Sequence, residues 1–284
     1  MSESSDEHAR VEGNAEKKNP RDFALWKFNA ELGWESPWGK GFPGWHIECS
    51  AMSMKYLGET LDIHTGGIEH ISVHHNNEIA QAEGATGKTF SRFWLHNDHV
   101  RVDDRKMAKS EGTGLTLSDI EKEGITPLAY RYWVLTAHYR SAVNFTLDAA
   151  RGAHTAYEKL KARLADFPDA GSVDAAYDAK FREAVEDDLN TPQAVSLVWD
   201  LLRDEDVKDE DKKMTILAWD AVLGLKLNET EELVIPEDVA ELLHRRELAR
   251  EAKHWDMADT LRGEIEEKGF VVKDTPEGQK LSRK

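Results

Sequence analysis

Between residues 60 and 98 the chain reads as strand, glycine turn, helix, strand, and few folds accept that order. TLDIHTGG (60–67) is a short strand with Leu61 and Ile63 facing inward, running into the pair Gly66-Gly67. HHNNEIAQAEGATG (74–87) reads as a helix stopped by Gly84 or Gly87, and RFWLHND and HVRVDD read as two further short strands. A strand that returns through a helix to another strand implies a parallel sheet, with ligands at the carboxyl ends of its strands. Residues 22–113 are therefore expected to be α/β, rich in Gly, Trp and His. From about Thr116 the apolar spacing changes to three and four, the period of a helix. Thr126-Pro127 and Thr191-Pro192 read as an N-cap followed by proline at the first helical position. Helices are expected at about 148–166, 174–189, 191–203, 209–224, 236–253 and 255–268, with Gly269 just past the last. The fold class is thus α/β followed by all-α, without internal repeats.

A chain of 284 residues suggests about two domains. Its 40% hydrophobic and 8% aromatic content suffices for a packed core. No stretch approaches the ~18 apolar residues of a membrane span. The polar start MSESSDEHARVEGNAEKKNPRD has no apolar centre and does not read as a secretory signal. Residues 1–21 read as a linker or tail. A single cysteine excludes an internal disulfide framework and fits a reducing compartment, so a cytoplasmic location is expected. The net charge of −17 speaks against a phosphate backbone as partner, but the charge is uneven. Arg245–Lys284 carries ten Lys/Arg against nine Asp/Glu, a segment far less acidic than the rest.

Three groups of residues carry possible chemistry. His74 and Glu78 stand four apart on the expected helix, on one face. Imidazole, carboxylate and the thiolate of Cys49, the only thiol in the chain, form a donor set suited to Zn²⁺. By spacing alone this is not a diagnostic motif: a buried cysteine acting as a small hydrophobe, beside a surface His–Glu pair, is the commoner arrangement. Lys106 and Lys109, in the loop DDRKMAKSEGTG (103–114), have the spacing to clamp a polyphosphate, although a solvated charged loop explains most such pairs. Gly66-Gly67 would let a nucleotide approach the backbone, or would simply make a tight turn. Trp45 and His46 precede the thiol and would wall a small pocket or fill a core.

Together, PGWHIECSAM, DIHTGG, HHNNEIAQAE and KMAKS resemble the cysteinyl-tRNA synthetases in order and spacing. DFALWK, HYRSAVNF, DDLNTPQAV and the stretch AREAKHWDMADTLRGEIEEKGFVVKDTPEGQ are similar to the same family. The resemblance runs from about Ala9 to the carboxyl end, and the sequence looks C-terminally complete on that basis. It contains no His-x-Gly-His tetrapeptide of the kind class I synthetases carry after their first strand. The resemblance therefore implies a C-terminal portion: the second half of a Rossmann-type catalytic domain, a helical bundle and a C-terminal anticodon-binding region. The implied divisions are 1–21 as a linker from the connective insertion, 22–113 with the zinc site and KMSKS-type loop, 114–165 as a stem-contact helical region, 166–235 as a helical bundle and 236–284 as the anticodon-binding region.

The resemblance also implies roles. Cys49, His74 and Glu78 match three of the family's four zinc ligands, one Zn²⁺ per chain; the other is a cysteine from the missing region. The metal binds the thiolate of substrate L-cysteine, which separates it from serine better than size does. His75, next to His74, would point about 100° away on the helix and is not expected as a replacement ligand. Trp45 and Glu69 match the substrate pocket. Lys106 and Lys109 match the lysines of the catalytic KMSKS loop that steady ATP with its Mg²⁺, and Gly66 and Gly67 match glycines near the adenosine. Ala108, Phe42, Glu69, Val73 and Asn76 depart from the residues usual in the family, without removing a matched ligand or lysine. The implied activity is cysteine–tRNA ligation through cysteinyl adenylate, with tRNA-Cys, L-cysteine and ATP as partners, an N-terminal half supplied in trans, no membrane and a monomeric state. Two alternatives remain: a non-catalytic half-synthetase that binds zinc, cysteine or tRNA, and a ligase joining cysteine to an amino sugar. The long helical end favours tRNA over the sugar.

Overall fold

A computed structural model describes residues 17–19, 22–102, 105–106, 114–229, 235–275 and 278–283. It divides into two compact units, Met1–Lys226 and Leu227–Lys284.

The first unit begins with a small antiparallel pair, β1 (Trp26–Phe28) and β2 (Gly41–Pro43). Helix α1 (Trp45–Leu57) follows directly. It starts from Gly44, which has no side chain to cap the free amides, and of its residues only Ser50 is fully buried. That leaves almost no apolar periodicity, and the sequence reading assigned no helix here. Strand β3 (Leu61–Gly67), helix α2 (His74–Thr86) and strand β4 (Ser91–Asn97) form the expected crossover, with β3 and β4 parallel and Ile63 opposite Phe93. Helix α2 ends at Gly87, whose φ of 67° places it in the left-handed region while its N–H bonds the Glu83 carbonyl. Leu61, Ala82 and Phe90 bury one side of the crossover, joined by Met54 and Trp94. Strand β5 (Val100–Val102) pairs with β6 (Arg105–Lys106) and, in parallel, with β7 (Val143–Phe145).

Further along this unit come α3 (Leu117–Lys122), α4 (Pro127–Leu135), α5 (Leu147–Asp166), α6 (Ala175–Glu186), α7 (Thr191–Arg203) and α8 (Asp209–Leu223). Thr116 and Asp119 form a capping box on α3, and Thr126 caps α4 with Pro127 at its first position. At α7 the cap is Asn190 rather than Thr191, so the proline lies one position further in than expected. Along α7, Ala194, Val195, Leu197, Val198, Leu201 and Leu202 make one buried face. Phe181 and Trp219 stack at 4.6 Å between α6 and α8, and the Trp199 indole donates to Tyr132 Oη at 2.8 Å, joining α7 to α4.

Between α6 and α7 the chain turns through two consecutive residues in the left-handed region, Asp188 (φ 51°) and Leu189 (φ 56°). The Asp188 carboxylate accepts from Tyr139 Oη at 2.7 Å and from both Nε and Nη2 of Arg140 at 2.6 and 3.0 Å, while its carbonyl lies 3.0 Å from His138 Nε2. The arginine and tyrosine hold its carboxyl down at about 2.

The second unit packs α9 (Glu237–Glu251) and α10 (Trp255–Glu267) against a hairpin, β8 (Phe270–Thr275) and β9 (Gly278–Arg283). This hairpin and the short β7 depart from the all-α second half expected after about Thr116. The core of the second unit is Val239, Leu242, Ala249, Ala258, Leu261, Ile265, Phe270 and Val272. Gly269 leaves α10 with φ 83°, as its place just past the helix requires. Arg246 is 1% exposed. It donates Nη1 and Nη2 to the Asp274 carboxylate at 2.9 and 3.0 Å, and Nη1 also to Gln279 Oε1 at 2.9 Å.

Candidate functional site

Helix α1 and the amino end of α2 pack side by side, with Ser50 Oγ at 3.0 Å from the His46 carbonyl and 2.5 Å from Gln81 Oε1. This places Cys49 on α1 opposite His74 and Glu78 on α2. One ligand atom from each of the three lies within 4.8 Å of the other two. Ligands of a zinc with bonds of about 2.0–2.3 Å are themselves separated by about 3.3–3.8 Å. The set therefore closes around an ion with small side-chain adjustments. His74 Nε2 is 3.0 Å from Glu78 Oε1, and His74 Nδ1 is 2.7 Å from His46 Nδ1, a contact that fixes the ring's orientation.

Glu78 is fully buried, yet neither carboxylate oxygen has a hydrogen-bond partner. Burial pushes its carboxyl up to about 7, offset only in part by the nearby Cys49 thiol. Burial, then the charges of Glu78 and Glu48, push the Cys49 thiol up. The imidazoles move the other way: burial, reinforced by neighbouring histidines, lowers His74 to about 4 and His75 to about 3. The imidazoles thus present free lone pairs, whereas the Cys49 thiol and the Glu78 carboxyl would release protons as a divalent cation binds. A buried carboxylate without donors is what a metal would satisfy, so the residues present fit a zinc ion.

The site opens into a cavity of about 370 Å³ lined by Trp45, Cys49, Met52, His64, His70 and Glu78, among others. Trp45 stacks on His74 at 4.2 Å and 30°, forming the wall expected of it. Glu69 does not line this cavity: its carboxylate lies against Gly67 and 3.1 Å from His99 Nε2. A Cβ on Gly66 would sit 2.5 Å from His75 Cε1 and 2.8 Å from His70 Nδ1, so this glycine already has a packing reason within the protein. The Lys106 backbone pairs with Arg101 in the short β6 strand. Lys109, with residues 103–104 and 107–113 of its loop, lies outside the described residues, as do 1–16 and 20–21 of the expected linker.

Sequence reasoning missed the histidines beyond Glu78. His64 Nε2 approaches Glu78 Oε2 at 3.1 Å from β3, and His75 Nδ1 meets His96 Nε2 at 2.7 Å from β4. His75 falls outside the Cys49 group: His64, His75 and Glu78 form a second group with ligand atoms within 4.8 Å of one another. The signal lay in the strand carrying His64 just before the glycine pair, but pairing it with α2 required the fold.

The far side of α1 is apolar and open. A groove of about 850 Å³ is lined by Leu25, Trp26, Phe28, Trp34, Trp38 and Ile47 together with Met52, which also borders the metal cavity. Ile63 and Phe93, paired across the two parallel strands, are 60% and 65% exposed. Parallel strands are ordinarily covered on both faces.

The family model for the class I (C) tRNA synthetase catalytic domain matches residues 1–154. A DALR domain model matches 180–228, and the model for the cysteinyl-tRNA ligase anticodon-binding domain matches 234–280. Cysteine–tRNA ligase 1 of Burkholderia lata is 46% identical over 273 residues, covering 93% of this chain and 58% of that protein. The cysteine–tRNA ligase of Caldicellulosiruptor saccharolyticus is 42% identical over 300 residues, covering 97% and 64%. That of Treponema denticola is 39% identical over 306 residues, covering 94% and 62%. The chain thus spans about three-fifths of the length of these relatives.

Proposed function

Because the chain belongs to the cysteinyl-tRNA synthetase family, we propose that it supplies the cysteine-selecting and tRNA-binding part of a cysteine–tRNA ligase. The observation that carries this reading is the convergence of Cys49, His74 and Glu78 beside the Trp45-walled cavity. Cys49, His74 and Glu78 would hold Zn²⁺, which supplies a thiolate-binding Lewis acid when bound. The chain's own residues do the rest. Trp45, stacked on His74, holds that imidazole and closes one side of the cavity, which suits the small side chain of L-cysteine. Burial of Glu78 concentrates the demand for a cation at one point. Lys106 and Lys109 are assigned to ATP–Mg²⁺ and Gly66-Gly67 to the adenosine. Residues 22–113 hold these sites, 114–165 face the acceptor stem, 166–235 form the bundle and 236–284 bind the anticodon region of tRNA-Cys.

Adenylate formation requires a further part of the catalytic domain. The exposed pair Ile63–Phe93 and the groove beside α1 suit the apolar face of that part, joined to this one in the same polypeptide or in trans, in an otherwise monomeric cytoplasmic enzyme. Among the described residues no helix is long and apolar enough to cross a membrane. The matched DALR and anticodon-binding models support tRNA, rather than an amino sugar, as acceptor.

Calorimetry on zinc-loaded protein tests the selection step: L-cysteine binds, L-serine binds at least a hundredfold more weakly, and Cys49→Ala loses the difference. Equal zinc content in Cys49→Ala and wild type rejects the site. ATP–pyrophosphate exchange then separates the catalytic reading from a binding-only one. It is expected to stay at background for this chain and to appear when the unmatched two-fifths of the Burkholderia lata enzyme is added. Persistent background would leave a half-synthetase whose tRNA binding a gel shift would measure.

A further inference from the structure

A dense set of polar contacts lies away from the metal centre, at the corner between α6 and α7. Asp188 and Leu189 hold φ values of 51° and 56° there, a conformation that costs any residue other than glycine free energy. The ion pair that accompanies it is exposed: 45% of the Asp188 side chain and 57% of the Arg140 side chain face solvent. Exposed ion pairs add little to stability. The corner is thus more tightly constrained than joining two helices requires. Its contacts reach across 48–50 residues of sequence to three consecutive positions, His138, Tyr139 and Arg140.

Those three residues lead into the sheet that carries Lys106. The Tyr139 carbonyl accepts the Asp98 N–H at 2.8 Å, and the His99 carbonyl accepts the Val143 N–H at 3.0 Å. These bonds bracket the start of the parallel pair β5–β7, where Val100 lies opposite Val143 and Val102 opposite Phe145. On its other edge β5 sets Arg101 against Lys106. His99 also holds Glu69 at 3.1 Å, and the Glu69 carboxylate lies over Gly67.

We propose that Asp188 is a positioning residue for the nucleotide end of the cleft: by clamping 138–140 it fixes the segment 98–102, and with it the backbone of Lys106 and the place of Glu69 over Gly67. The inference rests on the assignment of Lys106 and the glycine pair to ATP. Strands β5 and β7 have three residues each and β6 has two, so they hold themselves by few ladder bonds and depend on what anchors their ends. Hydrogen bonds from Arg140 and Tyr139 hold the Asp188 carboxyl at about 2. The clamp is therefore a fixed device and not a switch near neutral pH.

Amide hydrogen exchange on the full-length chain tests the clamp directly. In Asp188→Ala the amides of 100–102 and 143–145 are expected to exchange at least tenfold faster than in wild type, with those of α5 within twofold. A corner that only braces the helices would speed exchange in α6 and α7 and leave β5 and β7 unchanged, and that result would overturn the proposal. Arg140→Gln, which removes the bidentate pair at an exposed position, repeats the measurement should Asp188→Ala not fold. ATP–pyrophosphate exchange with the complementary part of the Burkholderia lata enzyme added gives the second readout. The KM for ATP is expected to rise at least fivefold while the KM for L-cysteine stays within twofold. An equal rise in both, or a fall in kcat alone, would also overturn it. Should wild type show no exchange under these conditions, the ligase reading fails, and the amide measurement still decides whether Asp188 fixes the strands.

Discussion

Glu78 in the first unit and Arg246 in the second are each almost completely buried, and the two are treated in opposite ways. Arg246 in the second unit is met by Asp274 and Gln279, and only its Nε lacks a partner. Glu78 in the first unit is buried as deeply and receives no hydrogen bond at either oxygen. A buried charge is tolerated when it is paired and hydrogen-bonded. The chain pairs Arg246 from its own residues, which marks that centre as structural. It surrounds Glu78 with imidazoles and a thiol instead, groups that are weak donors to a carboxylate but good ligands for a cation. Completeness separates a brace from a binding site more clearly than burial does.

The largest effect should come from removing the brace. Arg246→Leu removes Asp274's main partner but leaves it partly exposed and paired with Arg250, and is expected to cost about 1–3 kcal/mol. Hydrogen exchange of the α9 and α10 amides would report that loss, and unchanged protection would break the comparison. Glu78→Gln should behave in the reverse sense. Metal-free stability is expected to change by less than about 1 kcal/mol, since only a weak thiol contact is lost, while zinc retention falls at least tenfold. Thermal melts with and without chelator, read beside metal content, would check both halves. A large fall in metal-free stability would make Glu78 structural after all.

A smaller effect is set by pH. Hydrogen bonds and charge from Arg246, then the charge of Arg250, hold the Asp274 carboxyl below the usual carboxylate range. Its folded pKa is therefore below the unfolded one of about 3.9. The stabilisation is complete above that value and is lost as pH falls through the folded pKa. Asp274 is partly exposed, which weakens the effect. The second unit should therefore lose stability as pH falls through this window, and Asp274→Asn, less stable than wild type near neutral pH, should flatten that limb. The smallest effect is expected at Phe93. Phe93→Ser on this chain alone should stay within about 0.5 kcal/mol, as for other exposed positions, yet weaken association with the complementary part of the catalytic domain in a pull-down.

Much of this was legible in the sequence for identifiable reasons. The crossover from β3 through α2 to β4 announced itself by its glycines, and α5 and α7–α10 by apolar spacing and turn residues. His74 and Glu78 could be paired because four residues make one helical turn. Helix α1 could not be read, because it has no side-chain cap and scarcely a buried face. The terminal hairpin was obscured by mixed polar residues whose pairing, Val272 with Leu281 for example, is set by register rather than local pattern. His64 and His75 belong to different elements, so their meeting at Glu78 depended on how β3 packs on α2.

The turn at Asp188 has a mechanical consequence. One carboxylate grips Tyr139 and Arg140, and the Tyr139 carbonyl receives the Asp98 N–H at 2.8 Å. The next residue, His99, leans on Glu69 beside the glycine pair. The α6–α7 corner is thereby joined by an unbroken run of contacts, through Tyr139, Asp98 and His99, to Glu69 beside the glycine pair.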